Sequence, residues 1–217
     1  INKKFIIKTI TAQEKNVLLN NLLPDYADRI LKNSSVLVKV LGVFMLQCID
    51  NFAVNLIIME NICILDGRPS FKIDLKGSRH DRLENKEGHP LSRYSKFMKD
   101  VDFLKEVKRL DLEEGEAMRL MKAIEGDVKI LAWHGIMDYS LFGAFYKGIK
   151  MPLDNKYCFR KRKQPDTFFT LGIIDILQEY NASKKCEHCV KRTFKRVPSE
   201  DLSAVSPQMY AERFLRF

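Results

Sequence analysis

The stretch Phe5-Ile6-Ile7-Lys8-Thr9-Ile10-Thr11-Ala12-Gln13-Glu14 sets the fold class. Its apolar residues are those of a strand, from Lys3 to Ile10, and Lys8 is a single cation among them. Thr11 with Glu14 three residues later is a capping box, so a helix starts directly behind the strand. Glu14 has a second reading, as a helix carboxylate paired with Lys8, and the box is the reading we adopt. The helix carries Leu18, Leu19, Leu22 and Leu23 at helical spacing and is expected to stop near Pro24.

Outward from there, Val36–Gln47 and Phe52–Met59 read as two antiparallel strands around the turn signal Asp50-Asn51. Phe71, Ile73 and Leu75 alternate with Lys72, Asp74 and Lys76, which predicts a third strand with its charges on one face. Residues 77 to 111 are charged and irregular, apart from an apolar-punctuated piece around Phe97, Val101, Phe103 and Leu104. Leu120, Ile124, Val128 and Leu131 form one stripe of a long helix over Leu112–Trp133. Short strands are expected at Ser140–Phe145 and Thr167–Ile174, and a final helix over Pro207–Phe217. Phe169, Leu171 and Ile173 share one face, and Asp175 continues their parity, placing a carboxylate where an apolar group is expected; functional sites break patterns in this way. The sum is an α+β chain with a cleft between a β-rich first part and an α-rich second part.

Composition narrows the class. In 217 residues, 46% hydrophobic and 10% aromatic content excludes disorder, collagen and coiled coil for the chain as a whole. The most apolar segment, Leu56–Leu65, contains Glu60 and Asn61 and is too short to span a membrane. Five cysteines are an odd count that favours a reducing, cytosolic compartment. Cys186-Glu187-His188-Cys189 lacks a second ligand pair, so zinc is not expected. The first residue is not Met and no signal sequence follows, so the chain is expected to begin inside a longer protein or to have been trimmed.

The net charge of +9 is concentrated. Lys147–Lys163 holds seven basic residues against Asp154, and Lys184–Arg196 holds six against Glu187. Such runs suit a polyanionic surface, either nucleic acid or anionic membrane. Nucleic acid is not expected as a partner, because base-stacking aromatics and a reader motif are missing among the cations.

Four charges stand singly in apolar surroundings: Lys8, Lys76, Asp138 and Asp175. Two cations and two carboxylates suit phosphoryl transfer. Lysines offset phosphate charge, one carboxylate holds Mg²⁺, and the other orients or deprotonates a hydroxyl.

Six phrases, in order, carry a resemblance: Phe5-Ile6-Ile7-Lys8-Thr9, Met59-Glu60-Asn61-Ile62, Asp74-Leu75-Lys76-Gly77-Ser78, Met137-Asp138-Tyr139-Ser140-Leu141, Gly172-Ile173-Ile174-Asp175 and Tyr210-Ala211-Glu212-Arg213-Phe214. Together they resemble the catalytic core of the phosphatidylinositol phosphate kinases. The resemblance implies a two-lobed kinase-like α+β fold over residues 1–217, with an antiparallel sheet and a helical region. The small lobe would cover about 1–60, the large lobe about 61–217, and the activation loop about 180–203. The family's glycine-rich loop would precede residue 1.

By the same resemblance Lys8 would meet the ATP phosphates, Asn61 and Ile62 the adenine, and Asp175 Mg²⁺. Asp138 would be the catalytic aspartate and Lys76 the second active-site lysine. Arg82 would hold a lipid phosphate, with a solvated loop arginine as its other reading. Lys184, Lys185 and Glu187 would choose the substrate, in a pattern similar to type I members, which use phosphatidylinositol 4-phosphate. Type II or III isomer use, or a non-catalytic phosphoinositide-binding scaffold, are the alternatives. The departures are Phe142-Gly143-Ala144 for the more usual Leu-Val-Gly, Val190 in place of Trp, and a short Lys147–Gln164 connection. The implied setting is peripheral, at the cytoplasmic face of the plasma membrane, with ATP and Mg²⁺ as cofactors and a phosphoinositide on an anionic membrane surface as partner. A homodimer is compatible with it.

Overall fold

The computed structural model describes residues 4–32, 34–47, 53–63, 65, 67–80, 82–83, 96–148, 157–181 and 205–217. Strand β1 (Phe5–Ile10) leads into helix α1 (Ala12–Asn16), a π-helical turn over Val17–Leu22, and helix α2 (Leu23–Leu31). Strands β2 (Val40–Gln47), β3 (Ala53–Glu60), β4 (Phe71–Leu75) and β5 (Lys96–Met98) follow, then helices α3 (Asp100–Glu106) and α4 (Glu114–Trp133). Strands β6 (Ser140–Lys147), β7 (Cys158–Arg160) and β8 (Thr167–Ile174) precede helix α5 (Pro207–Arg216). The chain is thus mixed α+β, as its pattern predicts.

The capping box forms: the Glu14 amide donates to Thr11 Oγ1 at 3.1 Å, and the Thr11 amide donates to Glu14 Oε2 at 2.7 Å. The helical path does not end at Pro24. The π-turn Val17–Leu22 places Pro24 in the first turn of α2, where its missing N–H costs nothing. The predicted stripe is accordingly split, with Leu18 and Leu22 buried and Leu19 and Leu23 exposed.

β1, β3 and β2 form a three-stranded antiparallel sheet in that order. β4 is not its neighbour. It lies in a five-stranded sheet ordered β5-β4-β6-β8-β7, antiparallel except for the β4–β5 pair. β7 is a strand that the basic composition of its segment conceals. Phe71, Phe145, Phe169 and Phe159 stack across four adjacent strands at centroid spacings of 4.2, 5.0 and 5.7 Å.

The two sheets are tied together. The Val38 amide donates to the Ile173 carbonyl and the Ile173 amide to the Val36 carbonyl, both at 2.8 Å, so Val36–Val38 lies parallel to the end of β8. The Tyr26 hydroxyl donates to the Val38 carbonyl at 2.9 Å and accepts from the Val40 amide at 2.7 Å. One core runs under both sheets and includes the predicted stripe Leu120, Ile124, Val128 and Leu131 of α4. A smaller cluster of Leu65, Ala144, Tyr146, Cys158 and Phe168 covers the opposite face of the larger sheet.

Candidate active site

The register of the larger sheet brings the site together. Leu75 pairs with Leu141 and Ser140 with Ile174. Lys76, Asp138 and Asp175 therefore leave β4, β6 and β8 at the same end. The segments flanking the two aspartates pair in turn, with the Met137 amide donating to the Gln178 carbonyl and the Tyr180 amide to the Gly135 carbonyl, both at 2.9 Å. Lys8 arrives from β1 of the smaller sheet.

These four residues line one cleft of about 210 Å³. Ile10, Val38, Val40 and Ile57 supply its apolar wall, and Glu14 and Gln178 add polar groups at its edge. An apolar slot with a few convergent charges is the usual composition of a small-molecule site.

Lys76 Nζ donates to Asp138 Oδ1 and to the Asp138 carbonyl, each at 2.8 Å. The pair is largely buried, with side-chain exposures of 20% and 28%. Lys8 Nζ donates to Asp175 Oδ1 at 2.9 Å, and here about half of each side chain is exposed. An exposed pair of this kind is worth about 0–1 kcal/mol, so an anion or a metal displaces it easily. Glu14 remains in its capping box, and Lys8 takes Asp175 instead.

Both aspartates have left-handed backbones, φ +64° at Asp138 and +59° at Asp175. That region is sparsely populated by non-glycine residues and tolerated best by Asp and Asn. At Asp175 it explains the broken parity: β8 ends at Ile174, and the chain turns out of the sheet before the carboxylate. The sheet alternation never reaches Asp175.

Arg82 is neither solvated nor loose. Its Nε donates to Asp100 Oδ2 and its Nη2 to Asp74 Oδ1, both at 2.7 Å. Burial pulls its pKa down, and the bonds and charges of Asp100 and Asp74 outweigh that and raise it. Asp100, fully buried, also accepts the Lys76 amide at 3.0 Å and the Ser78 amide at 3.2 Å. It therefore shapes the turn that carries Lys76. Sequence reading missed Asp100 because it lies in a segment without periodicity; the only signal was an acid at the start of a short helix.

Asn61 and Ile62 follow β3 between the sheets. The Asn61 amide donates to the Lys4 carbonyl at 2.8 Å, and Asn61 Oδ1 accepts the Cys63 amide at 2.9 Å. Ile62 is buried and sits against Gly172 of β8, so its side chain belongs to the core and not to the cleft. Lys184, Lys185 and Glu187 lie outside the described residues, as do Cys186 and Cys189.

A sequence profile described as phosphatidylinositol-4-phosphate 5-kinase matches residues 1–164 and 152–217. The chain belongs to this family. The two matched stretches overlap over residues 152–164, in the basic connection between β6 and β8 that is short by comparison with the family. Among curated relatives, phosphatidylinositol 4-phosphate 5-kinase 3 of Arabidopsis thaliana is 27% identical over all of this chain and 37% of its own length. The human phosphatidylinositol 4-phosphate 5-kinase type-1 beta is 28% identical, covering 99% of this chain and 48% of the relative. Phosphatidylinositol 5-phosphate 4-kinase type-2 gamma of Xenopus tropicalis is 25% identical over all of this chain and 63% of its own. The chain thus spans less than two thirds of each of these family members.

Proposed function

We propose that this chain is the catalytic core of an ATP-dependent lipid kinase that phosphorylates the 5-hydroxyl of phosphatidylinositol 4-phosphate. The observation that carries the reading is the convergence of Lys8, Lys76, Asp138 and Asp175 on one cleft from four strands of two sheets. Family membership supplies the reaction class.

Each residue has a part that its geometry allows. Lys8 exchanges Asp175 for the nucleotide phosphates. Asp138, held at both its carboxylate and its carbonyl by Lys76, accepts the proton of the lipid hydroxyl. In this reading the link that carries Asn61 and Ile62 borders the base, with the Asn61 amide committed to the Lys4 carbonyl and the Ile62 side chain anchored in the core. Arg82 Nε and Nη2 are committed to Asp100 and Asp74, so its first role in this reading is to hold the Lys76 turn.

Mg²⁺ would be held by Asp175, with Asp138 nearby in the cleft, and would offset charge on the transferring phosphate. Two carboxylates fit this ion, which commonly takes one or two together with substrate phosphates. The described residues contain no group of three or more His, Cys, Asp and Glu placed for a metal, and Mg²⁺ does not require one.

Among the described residues no helix is long and apolar enough to cross a membrane. We assign lipid capture to the Lys184–Arg196 run. Each basic residue near an anionic leaflet contributes about 1 kcal/mol, and Val190, Phe194 and Val197 are spaced among the cations to enter the interface. In this reading the core works as a peripheral enzyme at the cytoplasmic face of the plasma membrane. Pairing into a homodimer is compatible with the reading but is not needed for it.

A second reading, use of another monophosphate isomer, rests on the similar identities to relatives named as 5-kinases and as a 4-kinase, 27%, 28% and 25%. Labelled ATP offered with vesicles of each phosphatidylinositol monophosphate isomer decides between them. Product from the 4-phosphate alone, lost in Asp138→Asn, is the expected result. Transfer to the 5-phosphate isomer instead supports the second reading, and vesicle binding without transfer to any isomer leaves a scaffold. Glu187→Ala should change isomer preference without changing ATP binding.

A further inference from the structure

The motif Tyr210-Ala211-Glu212-Arg213-Phe214 has no chemical role in the reading above, yet it packs directly behind the catalytic pair. Tyr210 is fully buried on α5, and its hydroxyl donates to the carbonyl of Tyr139, the residue next to Asp138. The Tyr139 ring meets Tyr210 edge-on at 4.7 Å and Phe214 at 5.0 Å. The same face of α5 also touches the residue after Lys76. Gly77 has φ +68°, and a Cβ there would lie 2.9 Å from the Arg213 carbonyl oxygen and 3.0 Å from Phe214 Cα. One helix therefore presses on the immediate neighbours of both Lys76 and Asp138.

Asp138 needs such support. A left-handed non-glycine backbone is strained and persists only where surrounding contacts fix it. The Lys76 ammonium fixes the Asp138 carboxylate and carbonyl from the front. The next carbonyl along the chain is fixed from behind by a neutral donor, since burial first, and the nearby Asp138 charge second, push the Tyr210 hydroxyl well above its ordinary range. The hydroxyl keeps its proton and donates at any working pH.

We propose that Tyr210 is a positioning residue for Asp138, holding it in its left-handed conformation through the Tyr139 carbonyl, with α5 as a brace behind the Lys76–Asp138 pair. The proposal rests on the assignment of Asp138 as the catalytic aspartate. Tyr210 itself touches no reacting atom.

Tyr210→Phe isolates the bond, because it removes the hydroxyl and keeps the ring that packs on Tyr139. In this variant kcat should fall at least tenfold while KM for ATP stays within twofold. Amide hydrogen exchange over residues 137–141 should quicken at least tenfold, with α4 unchanged. Val128→Ala, a buried truncation on α4, serves as the stability control: it lowers Tm but leaves exchange at 137–141 and kcat in place. Unaltered exchange at 137–141 in Tyr210→Phe overturns the proposal, as does exchange that quickens equally across α4 and both sheets. Because exchange is read without turnover, a chain that transfers no phosphate counts against the kinase reading, while the exchange result still decides whether α5 braces Asp138.

Discussion

Asp138 and Asp175 carry the same unusual backbone for the same reason: each must turn its carboxylate out of a sheet end toward a shared cleft. Asn tolerates that conformation nearly as well, so Asp138→Asn should fold with a Tm close to that of wild type while phosphate transfer drops by about 10²–10⁴-fold. Asp138→Ala should lose the same activity and, in thermal melts, about 1–2 kcal/mol more stability, since Ala has no local bond to offset a left-handed φ. Lys8→Met separates binding from folding. Its half-exposed ion pair contributes at most about 1 kcal/mol, so Tm should barely move while KM for ATP rises; a collapse in Tm would show that Lys8 is structural. At this scale the sequence was informative where a charge stood alone in an apolar phrase, as Lys8, Lys76, Asp138 and Asp175 all do. It was silent on Asp100 and ambiguous on Arg82, because ion pairs 18 residues apart leave no periodic trace.

Elements were legible wherever periodicity outran local chemistry. The α4 stripe lies in the core as its spacing demands, and β6 and β8 occupy their expected positions. Pro24 misled because a proline reads as a stop, whereas a π-turn shifts the helix so that the same residue opens α2. β4 forms over the residues whose alternation predicts it, but alternation reports a strand and not its partners, so the sheet it joins was not legible. β7 was hidden by cations, with Arg160 exposed at its end and Cys158 buried within it. Burial, and then the Glu116 charge, push that thiol from its ordinary value of 9.0 up to about 11. Between these values the unfolded thiol has lost its proton and the native one has kept it, so stability falls as pH rises through that window. Urea titrations at pH 8 and pH 11 should show wild type losing on the order of 2 kcal/mol relative to Cys158→Ala. Equal pH dependence in both proteins would place the thiol in contact with solvent.

Across the molecule, a buried ion pair joins the first helices to the second part of the chain. Arg29 Nε on α2 donates to Asp127 Oδ1 on α4 at 2.8 Å, and Asp127 Oδ2 accepts the Val36 amide at 2.7 Å, just where Val36–Val38 ties the smaller sheet to β8. Gly126 makes room for this, since a Cβ there would meet the Arg29 guanidinium at 2.3 Å. Asp127 is fully buried, and burial raises its pKa against the pull of the Val36 amide, Arg29 and Ser35. The charges are tolerated and not strongly favoured, which is common for buried pairs. Arg29→Met should therefore cost about 3–5 kcal/mol, because it leaves the carboxylate buried without its cation. With its folded pKa raised further above the unfolded value, that carboxyl keeps its proton longer in the native state, so the variant's stability should fall as pH rises from 4 to 8. Adding Asp127→Asn keeps an acceptor for the Val36 amide and removes the stranded charge. The double variant should regain most of the loss and lose the pH slope, both read from urea unfolding. If it is no more stable than Arg29→Met at pH 8, the latch works through the other bonds of Arg29, to Ser34 Oγ at 2.8 Å and the Ala123 carbonyl at 2.9 Å, and charge pairing is not what joins the two parts.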